Sequence, residues 1–250
     1  MQEKMKALKK EFERIKKIGW IKERRKGFCS VGYTFEQMLG KEEEDFPIPD
    51  FDGIEIKTRN YHAKTHLHLF NLTPDGDYLF PIKRILDTLG CPSKDNHNNK
   101  VFYRNFNGSE YTQIIYGQKG ILKVNRKEEK IDLVVYNHKD ENINIGISWS
   151  FEWLKERLKL KLQYLAIVYA SSCIISGEGY YHYDEINFYK LKDFDTFLLL
   201  VEKGLIEITF KIGVFKSGRR IGQVYDHGTD FSIDIDNIES LYDKIKIINY

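Results

Sequence analysis

Cysteine is scarce. The three present, Cys29, Cys91 and Cys173, are odd in number and far apart. They form neither a disulfide framework nor a thiolate zinc site, which points to a reduced, cytoplasmic protein. Long hydrophobic runs are missing too: no eighteen consecutive apolar residues occur, which excludes a transmembrane helix. The opening MQEKMKALKKEFERIKK is charged and has no apolar core, so it does not read as a secretory signal. An excess of one charge is absent: 39 Lys and Arg against 37 Asp and Glu leave +2, and composition alone does not announce a nucleic-acid binder. Internal repeats, low-complexity segments and a clean dividing linker are lacking as well.

What is present is a foldable chain. Hydrophobic residues are 42% of 250, enough for a core, and the length suits one elaborated domain or two lobes around a shared cleft. Charge is unevenly spread. Residues 1–30 carry eleven Lys and Arg against four acids, and residues 41–55 carry seven acids and one Lys. A positive arm beside an acidic cluster suits a phosphodiester substrate and a divalent ion; a solvated helix followed by an acidic loop would look the same.

The patterning predicts a mixed α/β (α+β) fold. Met5, Leu8, Phe12 and Ile15 fall at helical spacing over residues 3–18, with Gly19 as the stop. Thr34 reads as the N-cap of a helix over 35–39, and Gly40 lies past its end. Pro47-Ile48-Pro49 enforces an extended entry to a strand at 53–57. Residues 65–71, 101–106, 111–116, 120–125 and 131–137 read as further strands. Ser150 caps a helix over about 151–161, and Gln163–Ser172 is apolar enough for a strand buried on both faces. A helix over 193–203 ends at Gly204, and strands at 205–216 and 229–235 flank a loop rich in Gly and cations.

The run carrying chemistry is Pro49-Asp50-Phe51-Asp52-Gly53-Ile54-Glu55-Ile56-Lys57-Thr58. Hydrolysing an anionic phosphodiester needs charge neutralised and water acidified, which a divalent ion supplies. Mg²⁺ takes one or two carboxylates and keeps waters; a nearby lysine orients the attacking water and offsets transition-state charge. Glu55 and Lys57 lie two apart on a strand and share a face, while Ile54 and Ile56 anchor the other. Asp50 precedes the strand, where a tight turn at Gly53 can return it to that face. The Ile56 carbonyl is a further candidate ligand. Such a spacing arises by chance in about one chain in twenty of this length, an edge strand with exposed charges would look identical, and Asp45 and Asp52 compete with Asp50.

Residues 32–58, GYTFEQMLGKEEEDFPIPDFDGIEIKT, resemble the signature of the MvaI/BcnI restriction endonucleases, relatives of the nicking enzyme MutH. The pattern G-x-T-F-E-x-x-L, an acidic spacer and P-D-x-x-x-I-E-I-K-T is met from Gly32 to Thr58. Trp149-Ser150-Phe151 before a Lys-rich helix, Lys211-Ile212-Gly213, and Ser217-Gly218-Arg219-Arg220 before Asp226-His227-Gly228-Thr229 are similar to the same family. The resemblance implies a restriction-endonuclease-like mixed sheet flanked by helices, with a second lobe forming a DNA-binding cleft. It places the catalytic lobe in roughly 1–75 and 145–175 and the recognition lobe in roughly 80–140 and 205–235 of a single domain, 1–250. It implies Asp50, Glu55 and Ile56 as Mg²⁺ ligands (Mn²⁺ substituting), Lys57 as the residue that positions the nucleophilic water, and Glu36 as an accessory carboxylate. It further implies a type II enzyme cutting double-stranded DNA as a monomer and leaving 5′-phosphates, with a cognate DNA methyltransferase in the same system.

For DNA contact the candidates are the basic loop Lys22, Arg24, Arg25 and Lys26, one histidine of the cluster after the catalytic strand (His66), and the segment carrying Lys211, Lys216, Arg219, Arg220, Tyr225, Asp226, His227 and Thr229. Arg and Lys suit guanine or phosphate, and Asp226 suits cytosine; a charged hairpin tip is the plain alternative. His66 and His68 share a strand face, but no further Cys or His at recognisable spacing completes a zinc site. The sequence departs from the family pattern D-H-G-T-A-F-R by carrying Asp230 and Ser232, which leaves the target sequence open. A MutH-like nickase and a non-catalytic DNA-binding module remain the rival readings.

Overall fold

The computed structural model describes residues 1–27, 29–40, 48–77, 79–94 and 99–247; Asp45 and Pro47 lie outside them. In chain order its elements are α1 (Gln2–Lys16), β1 (Ile21–Lys22), α2 (Ser30–Met38), β2 (Glu55–Asn60), β3 (Leu67–Asn71), α3 (Leu79–Leu89), β4 (Cys91–Pro92), β5 (Lys100–Phe106), β6 (Thr112–Gln113), β7 (Lys119–Asn125) and β8 (Lys130–Tyr136). There follow β9 (Asn142–Ile143), β10 (Ser148–Ser150), α4 (Phe151–Lys161), β11 (Tyr164–Ile175), β12 (Glu178–Leu191), α5 (Phe194–Glu202), β13 (Ile206–Val214), β14 (Val224–Asp226), β15 (Asp230–Ile233), α6 (Ile238–Leu241) and β16 (Tyr242–Ile245). The class is mixed α+β, as the patterning predicts. Two compact units form: one from Met1–Thr65, Leu158–Lys192 and Tyr242 onward, the other from His66–Arg157 and Asp193–Leu241.

In the first unit the sheet order is β1-β12-β11-β2, with β16 beside β12. β11 and β2 are parallel, pairing Leu165 with Glu55 and Ile167 with Lys57. Met5, Leu8, Phe12 and Ile15 make one stripe of α1, and Phe35 of α2 joins them against Ile54, Ile56, Ala166, Val168, Ala170 and Tyr183. α2 starts at Ser30, one turn earlier than expected. Thr34 does not cap it: its hydroxyl is buried mid-helix and accepts the Arg24 backbone N–H at 3.0 Å, so it fastens the basic loop instead. β12 has no counterpart in the expected strands. Tyr169 pairs with Glu185 and Ala170 with Tyr183, so Asp184 is passed over as a bulge. The bulge shifts the side-chain alternation by one residue, which hides a fourteen-residue strand from a period-two search.

The second unit has two sheets, β10-β8-β7-β6 with β9 beside β8, and β3-β15-β13-β5-β4 with β14 beside β13. Its core is aromatic: Phe70 and Phe231 stack at 4.5 Å, and Trp149 meets Phe231 edge-on at 5.7 Å. The Trp149 indole N–H, buried there, donates to the Leu72 carbonyl at 3.0 Å. α3 has no counterpart among the expected helices, although Ile82, Ile85, Leu86 and Leu89 bury at helical spacing. The strand expected over 111–116 shrinks to Thr112–Gln113. Ser150 ends β10, and its N–H and hydroxyl donate to the Asp75 carboxylate.

Candidate active site

A two-residue turn sets the site. Asp52 and Gly53 both have positive φ (49° and 88°), and Phe51 and Ile54 exchange backbone hydrogen bonds of 2.9 and 2.8 Å across them. This is the geometry Asp-Gly favours in tight hairpins. It folds Asp50 back over the start of β2, where one carboxylate oxygen accepts the Ile56 N–H at 2.9 Å. Asp50 thereby comes near enough to Glu55 for their charges to interact, whereas Asp52 is spent in the turn.

Glu55 is 1% exposed, an unusual place for a carboxylate. Its Oε1 meets the Lys57 ammonium at 2.7 Å and the Lys161 ammonium at 3.5 Å. Among the described residues its Oε2 is buried with no hydrogen-bond partner. Burial pushes the Glu55 carboxyl above its ordinary range; Lys57 opposes this, Asp50 adds to it, and Lys161 opposes it. Lys161, at the end of α4, is not among the sequence candidates. The only signal for it is the lysine-rich helix itself, and nothing local marks which lysine reaches a glutamate 106 residues earlier.

Glu36, Ile56, Lys57 and Thr58 line a cavity of about 290 Å³ together with Arg25 and Gly32. Gly32 lets α2 approach β2, since a Cβ there would lie 3.0 Å from the Thr58 hydroxyl. Glu36 and Lys57 thus share a wall, and Arg25 reaches the same cavity with its guanidinium 4.9 Å from the Tyr33 ring. Of the remaining basic loop, Arg24 turns its guanidinium to the Met38 sulfur, Lys22 pairs with Glu178, and Lys26 lines a neighbouring concavity.

The other predicted contacts fall in the second unit. Arg219 and Arg220 sit on an exposed turn, with Arg220 5.7 Å over Phe215. The Tyr225 hydroxyl lies 2.8 Å from His227 Nε2. Asp226 and Thr229 are engaged with each other: the Asp226 carboxylate accepts the Gly228 N–H and the Thr229 hydroxyl, both at 3.0 Å. Burial raises the Asp226 carboxyl. Lys211 pairs with Asp230 at 2.9 Å, so the aspartate that departs from the family pattern holds a cation of the same sheet. His66 and His68 part company, His66 toward Glu207 and His68 toward Asp230 and Asn71. Among the described residues no three His, Cys, Asp or Glu side chains gather into a metal cage.

A family model described as the MvaI/BcnI restriction endonuclease family matches residues 9–242. None of the curated proteins matches. Among solved structures, restriction endonuclease MvaI in complex with cognate DNA substrate is 28% identical, with a TM-score of 0.89 over 99% of this chain and 100% of that one. MvaI in the absence of DNA is also 28% identical, with a TM-score of 0.64 over 99% of each chain. With a match across nearly its whole length, the chain belongs to the MvaI/BcnI restriction endonuclease family and is a type II restriction endonuclease, a site-specific DNA nuclease.

Proposed function

We propose that this endonuclease hydrolyses double-stranded DNA at a short sequence, using Mg²⁺ held by Asp50, Glu55 and the Ile56 carbonyl, and leaves 5′-phosphate ends. The observation that carries this is Glu55: one oxygen committed to two lysines, the other buried without a partner, next to Asp50. An unpaired buried carboxylate oxygen is costly unless a cation completes it. Hard oxygen donors in this number suit Mg²⁺, with Mn²⁺ able to substitute. When bound, the ion neutralises phosphate charge and acidifies water. Lys57 orients the attacking water and offsets charge in the transition state. Attack in line with the 3′ oxygen expels it and leaves phosphate on the 5′ side. Glu36 acts as an accessory carboxylate on the wall it shares with Lys57, and Lys161 balances the charge of Glu55.

Recognition belongs to the second unit in this reading. Lys216, Arg219, Arg220 and the Tyr225–His227 pair present donors to base edges or phosphates, and Lys22, Arg24, Arg25 and Lys26 take phosphates in the first. Asp226, Thr229 and Lys211, tied up within their own sheet, position that surface, and His66 stands at its edge. The enzyme acts as a monomer in the cytoplasm, and a separate DNA methyltransferase protects the host sites.

Digestion of a plasmid of known sequence with Mg²⁺ and with EDTA, followed by run-off sequencing of the ends, tests the proposal. Discrete fragments with 5′-phosphates in Mg²⁺ alone are the expected result. Cleavage that persists in EDTA contradicts the metal assignment, and nicked circles alone contradict double-strand cutting.

A further inference from the structure

The β11–β12 hairpin ends in an apolar tip that the fold does not require. Ile174 is 80% exposed and Ile175 is 49% exposed. The turn that follows, Ser176-Gly177, has φ of 51° and 80°, and Ile175 pairs with Glu178 to close it. This is a tight, pre-set hairpin turn, and it needs no hydrophobic residue at its mouth. Two adjacent β-branched side chains held out in water at this tip are a candidate contact surface.

The surroundings say what. Glu23 fastens the hairpin to the basic loop: its N–H donates to the Gly179 carbonyl at 2.8 Å, and its carboxylate accepts the Gly179 N–H at 3.2 Å. Lys26, Val31, Asn60, Ser172 and Ile174 line one open concavity of about 800 Å³. Val31 also lines the active-site cavity, so the two concavities are neighbours. Ile167 pairs with Lys57, and Ile174 lies seven residues further along β11. At ~3.3 Å per residue the finger stands about 23 Å from the catalytic lysine.

We infer that this finger contacts the minor groove of duplex DNA about seven base pairs from the scissile phosphate, with Ile174 as an apolar wedge and Lys26 on a phosphate. The inference rests on the nuclease reading above and adds an anchor outside a short recognition site. The spacing follows from ~3.4 Å per base pair. A stiff duplex lying along this edge passes the finger, and minor-groove proteins use isoleucine in this way, unstacking a base step.

The test uses duplexes carrying the enzyme's own site, flanked on the hairpin side by three or by twelve base pairs, with a fluorescent adenine analogue near the seventh. The wild type is expected to bind the long-flank duplex three- to ten-fold tighter than the short one and to brighten the analogue. Ile174→Ser loses both effects on the long duplex and matches the wild type on the short one, and Ile174→Leu restores them. Equal wild-type affinity for both flanks, or an equal loss by Ile174→Ser on both, overturns the finger while leaving the nuclease intact. Absence of any cleavage by the wild type sinks the nuclease reading and this inference with it.

Discussion

Burial governs Glu55. Desolvation raises its carboxyl pKa in the metal-free fold, so the folded state binds more protons than the unfolded chain between the ordinary carboxylate range and the raised value. The metal-free fold therefore loses stability as pH rises through that window, and the loss persists above it. Glu55→Gln is expected to raise the melting temperature of metal-free protein at pH 8 by a few degrees, at about 2–4 °C per kcal/mol for this chain length. That gain disappears below the ordinary carboxylate range. Mg²⁺ is expected to stabilise the wild type by about 2.7 kcal/mol at a hundred times its Kd and to leave Glu55→Gln unmoved. An equal Mg²⁺ shift in both proteins, read by thermal melting, contradicts Glu55 as a ligand. Lys161→Met removes one of the two cations beside Glu55, so the Mg²⁺ concentration giving half-maximal cleavage should rise about ten-fold, within the range for groups supporting a metal ligand.

At the scale of elements, the Asp52-Gly53 turn aims Asp50, and Gly53 has φ of 88°. A valine there costs about 1–2 kcal/mol of backbone strain and should lower the cleavage rate at least ten-fold by loosening the Asp50–Ile56 bond. Phe12→Ala is the contrast: the α1 stripe packs behind β2 against Ile54 and Ile56 and brings no polar group to the site, so stability should fall by about 3–5 kcal/mol with the rate at low temperature changed far less than in the turn variant. Denaturant melts beside single-turnover rates separate the two. Local features of this kind are legible in the sequence, because an Asp-Gly turn, an i, i+2 carboxylate–lysine pair and a four-residue apolar stripe all lie within one element. β12 is not legible, because the Asp184 bulge breaks its alternation. The start of α2 departs from expectation because Thr34 serves a distant backbone N–H, and the Asp226–Thr229 bond draws two expected base readers into their own turn. Lys161 shows the same limit: its partner comes from the fold, not from its neighbours in sequence.

For the whole molecule, a net charge of only +2 means that DNA affinity has to come from where cations stand. If Arg219 and Arg220 neutralise phosphates, Arg219→Ala with Arg220→Ala should flatten the slope of log K against log salt by about 0.9 for each phosphate left without its arginine, uniformly across sequences. A base-reading role instead relaxes sequence preference at about 1–3 kcal/mol per position. A salt series on specific and random duplexes distinguishes these. The central claim is that Asp50, Glu55 and Lys57 perform Mg²⁺-dependent cleavage and do not merely hold the fold. Its most direct test is to measure, side by side, single-turnover cleavage and DNA binding for the wild type and Lys57→Ala. The account predicts a rate at least a thousand-fold lower with affinity within a few-fold of the wild type; a variant that binds and still cuts near the wild-type rate would contradict it.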